Sequence, residues 1–459
     1  MASTSPPITA SEATPNTTTK SCAKCRSNPG TFDSRGQLVC RTCFQKFISA
    51  KCIKQIGLLN KDVRSSSSSA LSAYHSTQKN AGPPQASSRR YLLGLSLGPS
   101  SAALLELLNE NVEFQLGKGR NAPFELVVVH VSSEGGGENQ RERERVEGTV
   151  QRMRERYPRF EFKVVYLEEV VGLETIDWAG LGLLDFSSSP AGDDNDNETT
   201  SKAQKLRHLF DTLPSTTSRT DLLRLFTRHL LISEARKNSC HALLLGSSTT
   251  ALAELTLSET AKGRGFSLPW QINDGILGVP SFSPHSPSTI NNKTEDNGIL
   301  VYHPLRDALR KELVQFTKLT DPPIFDMLPE VDPTATAAVV SHKDLSIEEV
   351  MVRYFADVEE NYPSIVANVA RTTGKLLRLF GGVDAEGNKD KAEEGSESES
   401  EEEERLCGLC NMPLDEFGDE RWKGELGEDS YRDGLVEGEG KGEKMKQRIC
   451  YGCERSVRG

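Results

Sequence analysis

The chain has 459 residues, with 55 lysines and arginines against 66 aspartates and glutamates, a net charge of −11. At about 150 residues per domain, this length predicts roughly three compact units. Hydrophobic residues make up 36% of the chain, below the ~45–50% that is usual in fully globular proteins, so we expect part of it to be unfolded. The net acidity argues against nucleic-acid binding, because phosphate contacts need clustered cations.

The charges are, however, unevenly distributed. Residues 1–90 hold 13 basic and 3 acidic side chains, whereas residues 384–404 hold 11 acidic and 2 basic ones. The total therefore describes no single domain, and the N-terminal region is strongly basic.

Several protein classes are excluded by composition. No apolar run approaches the ~20 residues of a membrane span, and the first residues lack the basic and apolar segments of a secretory signal. Eight of the ten cysteines form four Cys-x-x-Cys pairs. In a long chain without a signal, this usage predicts an intracellular metal-binding protein, and the lack of an apolar span predicts no membrane partner.

Composition along the chain predicts six regions. They are a disordered segment 1–20, a zinc module 21–60, a linker 61–89, an α/β domain 90–380, an acidic disordered linker 381–404 and a second zinc module 405–459. Within the α/β domain, the polar stretches 186–201 and 281–298 are predicted surface insertions.

The α/β domain is predicted from apolar runs that alternate with amphipathic stretches. The runs typical of buried strands are Tyr91–Leu97, Leu126–Val131, Phe162–Leu167 and Ala242–Leu245. The predicted helices are 44–59, 101–116, 141–157, 221–237, 251–262, 307–319 and 346–379. Strands that alternate with helices favour βαβ units and a parallel sheet.

Two four-cysteine groups are the strongest chemical signal. A two-residue gap lets both thiolates of a pair face one ion, and two pairs complete a tetrahedral shell of four sulfurs. We therefore expect two zinc sites, although an iron–sulfur centre remains open for either group. The predicted ligands are Cys22, Cys25, Cys40 and Cys43 in the first group and Cys407, Cys410, Cys450 and Cys453 in the second.

The first predicted strand leads through a loop of small residues into a helix. Backbone N–H groups and the helix dipole converge at such a turn and can bind phosphate, but many α/β domains turn this way without a ligand. The candidate residues of this degenerate nucleotide loop are Ser96, Gly98, Ser100 and Ser101.

Cysteine pairs at both ends of a parallel α/β domain resemble the cytoplasmic tRNA 2-thiolation proteins, whose core is an adenine-nucleotide alpha-hydrolase (pyrophosphate-loop) domain. Catalytic members carry the loop Ser-Gly-Gly-x-Asp-Ser. Here Leu97 replaces the first glycine and Ser100 replaces the aspartate, while the two flanking serines and Gly98 match.

A second family motif, Gly-His-Asn-x-x-Asp-Asp, keeps only Gly246 in this chain. The later stretches 261–265 and 304–306 resemble the second, non-catalytic-looking subunit of the system. Adenylation needs charge neutralisation of its pyrophosphate leaving group, normally through a metal ion held by carboxylates. We therefore expect no adenylation by this chain alone, and its binding of ATP stays open.

Basic side chains surround the first cysteine group with hardly any acid. Such a surface suits contact with an RNA backbone, although it also suits a merely soluble module. The predicted RNA-binding residues are Lys24, Arg26, Arg41 and Lys46.

The resemblance implies a cytoplasmic subunit required for 2-thiolation of the wobble uridine of tRNA. Its implied partners are tRNA, a catalytic adenylating subunit in a heterodimer, and a thiocarboxylated ubiquitin-related modifier as sulfur donor. Two alternatives remain at this point: an active ATP-dependent tRNA sulfurtransferase, or a zinc-ribbon adaptor for protein partners.

Overall fold

The computed structural model describes residues 20–75, 89–133, 140–183, 195–282, 298–329, 345–378, 406–414 and 449–459. The predicted disordered segment 1–20 lies outside these residues up to position 19. So do the acidic linker 381–404 and most of the insertion 281–298.

Eight strands are found in the described residues. They are β1 Phe32–Ser34, β2 Gln37–Val39, β3 Arg90–Gly94, β4 Glu125–Ser132, β5 Glu161–Tyr166, β6 Ala242–Leu245, β7 Gly275–Leu277 and β8 Ile299–Tyr302.

Twelve α-helices accompany them in the same residues. They are α1 Arg41–His75, α2 Pro99–Gly117, α3 Gln140–Arg156, α4 Trp178–Leu181, α5 Asn195–Thr212, α6 Thr216–Lys237, α7 Thr249–Ala261, α8 Leu268–Ile272, α9 Arg310–Leu319, α10 Ile347–Asn361, α11 Pro363–Thr373 and α12 Tyr451–Arg458. None of the helices in the described part of the chain is long and apolar enough to cross a membrane.

The central sheet has six strands in the order β5-β4-β3-β6-β8-β7. Five are parallel, and β7 at the edge pairs antiparallel with β8. The predicted α/β class is confirmed, but the sheet is mixed rather than wholly parallel. From β3 the chain proceeds to β4 on one side, and β6 lies on the other, so the topological switch point lies between β3 and β6.

The two cysteine groups lie against opposite faces of this sheet. Successive side chains of a strand point to opposite faces. Accordingly, Tyr91 and Leu93 share a core layer with Phe44 of α1, next to the first group. Leu92 shares the other layer with Leu409 of the second group. Both cysteine segments are thus built into the core of the α/β domain.

Several predicted boundaries differ from the structure. The helix near residues 44–59 continues to His75, so the first part of the predicted linker 61–89 is helical. Residues 195–201 of the predicted insertion 186–201 begin α5. The long helix predicted over 346–379 is two helices, because Pro363 lacks the N–H that an uninterrupted helix needs.

Candidate functional site

The four sulfur atoms of the first cysteine group lie within 4.8 Å of one another. Cys22 and Cys25 belong to a turn that is closed by a 2.9 Å hydrogen bond from Arg26 N to Cys22 O. Arg26 takes a left-handed φ of 59° there. Cys40 directly precedes α1, and Cys43 lies in its first turn. A helix N-terminus favours nearby thiolates.

The second cysteine group repeats this construction. Its four sulfurs also lie within 4.8 Å of one another, and Asn411 N closes the first turn onto Cys407 O at 2.9 Å. Asn411 is left-handed, with a φ of 57°. Cys450 is the N-cap of α12, and Cys453 lies in its first turn.

The sulfur spacing fits a single ion in each group. Cys25 Sγ lies 3.8 Å from Cys40 Sγ, and Cys410 Sγ lies 3.8 Å from Cys450 Sγ. Zn–S bonds of about 2.3 Å in a tetrahedron place sulfurs about 3.8 Å apart. In an iron–sulfur cluster the four thiolates are divided among two or more irons and do not all lie this close to one another. Both groups could therefore hold a metal ion, and the spacing is consistent with zinc.

The thiols of the first group differ in proton affinity. The backbone N–H of Cys25 lowers the pKa of Cys22 to about 6. Contact with the Cys40 sulfur raises the pKa of Cys43 to about 12. Four thiolates at this distance repel one another, so a cation is needed to hold all of them ionised.

The two groups differ in their access to solvent. In the first group Cys22 and Cys40 are buried but Cys25 is exposed, whereas in the second group Cys407, Cys410 and Cys453 are all buried. Side chains of α6 bind the second group from within the core. Arg228 Nη2 donates to Cys410 O at 2.5 Å, and His229 Nε2 lies 2.8 Å from Leu409 O.

The candidate nucleotide loop lies at the carboxyl end of β3, beside the switch point. Ser96 Oγ lies 3.0 Å from Ser101 Oγ, and Ser101 Oγ donates to Gly98 O at 3.1 Å. The structure thus brings three of the four predicted residues together. Ser100 lies half-exposed in the first turn of α2.

Leu97 gives this loop its distinctive shape. Its φ of 59° is left-handed, a conformation that favours glycine and is rare for a bulky residue. Its side chain is only 6% exposed and packs into the core. The backbone therefore turns as a glycine would, while the leucine side chain adds to the apolar layer under the loop.

The start of α7, which corresponds to the second family motif, is closed by protein contacts. Thr249 N donates to Ala308 O at 2.8 Å, and Thr249 Oγ1 donates to Arg306 O at 2.7 Å. Leu252, at the position of the last motif aspartate, is 3% exposed. These contacts satisfy donors that a phosphate would otherwise meet.

The predicted RNA-binding residues cluster around the first cysteine group. Lys24 Nζ lies 4.4 Å from the centre of the Phe47 ring, and Arg41 donates to Leu319 O at 2.6 Å. Arg26 and Lys46 are exposed. Arg41 therefore also anchors α1 to the end of α9.

Sequence reasoning missed a buried cluster of charges beside the second cysteine group. Its members have ion-pair contacts with one another and come from α6, α7, the turn after α7, and α10. They are Asp221, Arg224, Glu259, Lys262, Arg264 and Glu348. The stretch 261–265 supplies two of its members, Lys262 and Arg264, but nothing in that stretch shows that they are buried.

The fold and these sites define a doubly wound α/β protein with one four-cysteine group on each face of its sheet, each of which could hold a metal ion. A model of the family "Cytoplasmic tRNA 2-thiolation protein 2" matches residues 346–455. The relative from Phaeosphaeria nodorum is 32% identical over 442 residues, which cover 96% of this chain and 95% of that one. The relative from Sclerotinia sclerotiorum is 33% identical over 349 residues, 76% of this chain and 80% of that one.

The chain belongs to the family of cytoplasmic tRNA 2-thiolation protein 2. Among solved structures, it is similar to the U34-tRNA thiolase of Methanococcus maripaludis with its [4Fe-4S] cluster. The TM-score is 0.47 at 14% identity, over 89% of this chain and 97% of that one. It also matches the NAD⁺ synthetase of Burkholderia pseudomallei with a TM-score of 0.27 at 11% identity, over 71% of this chain and 96% of that one.

Proposed function

We propose that this chain acts in the cytoplasm as the second, non-catalytic subunit for 2-thiolation of the wobble uridine in tRNA. Its partner is a catalytic subunit that adenylates the uridine, in a heterodimer, and the sulfur comes from a thiocarboxylated ubiquitin-related modifier. The observation that carries the proposal is the 32% identity to a family member over 96% of the chain.

The non-catalytic role is supported by the loops at the switch point. Carboxylates that could hold a metal–nucleotide are replaced by Ser100 in the first motif and by Ala251 and Leu252 in the second. Phosphoryl chemistry needs such charge neutralisation at the leaving group. The donors at the start of α7 are satisfied by the turn at residues 306–308.

ATP–pyrophosphate exchange tests the assignment against an active ATP-dependent sulfurtransferase. The purified chain is expected to show no exchange alone, while thiolation of tRNA is restored when a catalytic family subunit is added. Exchange by the chain alone that is lost in Ser100→Ala would make it the active enzyme.

For the basic N-terminal module, we propose contact with the tRNA backbone through Lys24, Arg26, Arg41 and Lys46. Lys24 Nζ lies 4.4 Å from the centre of the Phe47 ring, and Arg26 is exposed, so positive charge lies on both sides of the exposed Cys25. Each phosphate contact releases counterions, so affinity falls as salt rises.

The matched experiment compares Arg26→Gln/Lys46→Gln with Arg455→Gln/Arg458→Gln, since all four side chains are exposed. The first double variant is expected to weaken tRNA binding and to flatten its salt dependence by about two phosphate contacts. The second is expected to bind as the wild type does. Equal binding by both variants would favour the protein-adaptor alternative.

We propose zinc as the ion in both cysteine groups. Metal analysis of the purified chain is then expected to find two zinc ions per chain. Iron with visible charge-transfer absorption would instead assign an iron–sulfur centre.

A further inference from the structure

The turn that follows α7, Lys262–Gly265, lies directly against the second cysteine pair of the C-terminal group. Gly263 is left-handed with a φ of +78°, and a Cβ there would lie 2.4 Å from Tyr451 Cδ1. A Cβ on Gly452 would lie 2.4 Å from Arg264 Cγ. The Tyr451 ring therefore packs directly on Gly263, and the Arg264 side chain packs directly on Gly452. The turn and the cysteine pair are in close contact on both sides.

Arg264 reaches from this turn to a predicted metal ligand. Its side chain is 1% exposed, and Nη2 lies 3.4 Å from Cys453 Sγ and 3.3 Å from Ser456 Oγ. Asp221 fixes the guanidinium from the other side, at 2.9 Å from Nη1 and 2.5 Å from Nη2. The cation is therefore held rigidly with Nη2 directed at the sulfur.

The contact between Arg264 and Cys453 matters because of the negative charge that a metal-loaded cysteine group would carry. Three carboxylates and three cations of the buried cluster offset one another. Four thiolates around a divalent ion add a formal charge of about −2, in a place that little water can reach. Arg264 at Cys453 Sγ and Arg228 at Cys410 O are the arginines whose donors meet this group in the described residues.

Lys262 ties the same turn to two further helices. Its Nζ lies 2.7 Å from Asp221 Oδ1 of α6 and 2.7 Å from Glu259 Oε1 of α7, and it pairs with Glu348 of α10. Loss of the cysteine segment would uncover Asp221 and Arg264 together. Unpaired buried charges are costly, so the cluster and the metal site depend on each other.

We propose that the Lys262–Gly265 turn is the surface on which the C-terminal cysteine group packs. Arg264 is the positioning residue that helps this cysteine group to retain a metal ion. Metal loading of this group and closure of the buried charge cluster are then one coupled event. The N-terminal group has no part in it, because it lies on the opposite face of the sheet. The inference rests on the proposed metal content and goes beyond the role in tRNA thiolation.

The test measures zinc release from the full chain into an excess of a chromogenic chelator. The wild type is expected to show a fast phase from the N-terminal group, in which Cys25 is exposed, and a slow phase from the buried C-terminal group. The fast phase is expected to be absent in Cys25→Ser. Loss of an outer-shell partner typically lowers metal affinity about 10- to 100-fold, so Arg264→Gln is expected to accelerate the slow phase by up to that factor and to leave the fast phase unchanged. Arg455→Gln is the matched control, since Arg455 lies on α12 but is exposed.

A slow phase that is unchanged in folded Arg264→Gln would overturn the role of Arg264 and leave the proposed metal content intact. A wild-type chain that holds only the N-terminal zinc would overturn both proposals. Because Arg264→Gln removes a buried counter-charge, Arg264→Lys is measured beside it. Arg264→Lys keeps the positive charge but loses the bidentate contact with Asp221, so its slow phase of zinc release is expected to be faster than in the wild type and slower than in Arg264→Gln.

Hydrogen exchange on the wild type tests the coupling without any substitution. Withdrawal of the slowly released zinc is expected to lower amide protection in α6 and α7, while α2 on the opposite face stays protected. Unchanged protection in α6 and α7 would show that the charge cluster closes without the metal.

Discussion

Gly246 lies directly against the backbone of Ser101, so that a Cβ at Gly246 would come within 2.7 Å of Ser101 Cα and 2.9 Å of Ser101 N. The loops after β3 and β6 are therefore in contact at the switch point, where α/β sheets commonly bind ligands. Gly246 is the residue of the second family motif that this chain retains, and close packing between the two loops gives it a physical role.

We predict that Gly246→Ala lowers the free energy of unfolding by about 1–3 kcal/mol, because the added methyl meets backbone that cannot turn aside. Gly57→Ala is the control, since Gly57 lies within α1 and has open space around the position of a Cβ. That substitution is expected to stabilise by about 0.5–1 kcal/mol through helix propensity. Chemical denaturation measures both, and equal effects would mean that the two loops separate easily.

Leu97 offers a second test of the loop. Leu97→Ala and Leu97→Gly both lose the buried side chain, but only alanine keeps the unfavourable left-handed backbone at φ 59°. We predict that both variants are less stable than the wild type, with glycine the more stable of the two by about 1 kcal/mol. An alanine variant that is at least as stable as the glycine variant would show that the turn relaxes.

Anchoring of the N-terminal cysteine module depends on Glu312. Its side chain is 4% exposed and lies 3.0 Å from Arg35 Nε and 3.4 Å from Lys51 Nζ. We predict that Glu312→Gln lowers the free energy of unfolding by about 1–3 kcal/mol, because charged hydrogen bonds are lost.

The matched control is Glu360→Gln. Glu360 is 77% exposed beside Lys311, and its replacement is expected to change stability by less than about 0.5 kcal/mol. Thermal or denaturant unfolding measures the stability of both variants. If Glu312→Gln and Glu360→Gln lowered the free energy of unfolding by similar amounts, the anchoring role of Glu312 would be contradicted.

A pH dependence is predicted from His229. Burial lowers its pKa to about 4, so the folded chain keeps it neutral while the unfolded chain takes up a proton below about pH 6.5. The contribution of the neutral histidine is fully present above that pH and is lost as pH falls toward 4, at up to about 1.4 kcal/mol per pH unit.

His229→Gln is expected to reduce the slope of unfolding free energy against pH between 6.5 and 4. The difference between the two slopes gives the contribution of His229, because the carboxylates titrate in both proteins and contribute equally to each slope. Parallel slopes in the wild type and the variant would mean that His229 is protonated in the fold.

Local patterns predicted much of the fold. Ala242–Leu245 forms a strand with the predicted bounds, and α2, α3 and α7 begin and end within two residues of the predicted ones, because apolar periodicity directly reports which face is buried. The edge strand β7 was not predicted, since three residues carry no period that distinguishes a strand. Its partner β8, with four buried residues, was not predicted either.

The candidate metal sites were also predicted in part from local patterns, while their surroundings depend on distant residues. The Cys-x-x-Cys spacing is itself the geometry of a ligand pair, so all eight cysteines were predicted and the structure gathers them into two groups. Asp221, Arg264 and Cys453 are separated by 43 and 189 residues, and no local pattern links them.

Sequence alone determined the α/β class, the uneven charge and the two cysteine groups, since each depends on residues that are near one another in the chain. The tertiary structure decided that the cysteine groups lie on opposite faces of one sheet, and that Arg264 meets Cys453. The net charge of −11 conceals a further distinction that only folding makes. Basic residues near the N-terminus surround a partly exposed site, whereas most charges around the C-terminal site are buried and paired. Contacts between distant segments decide which charges meet water.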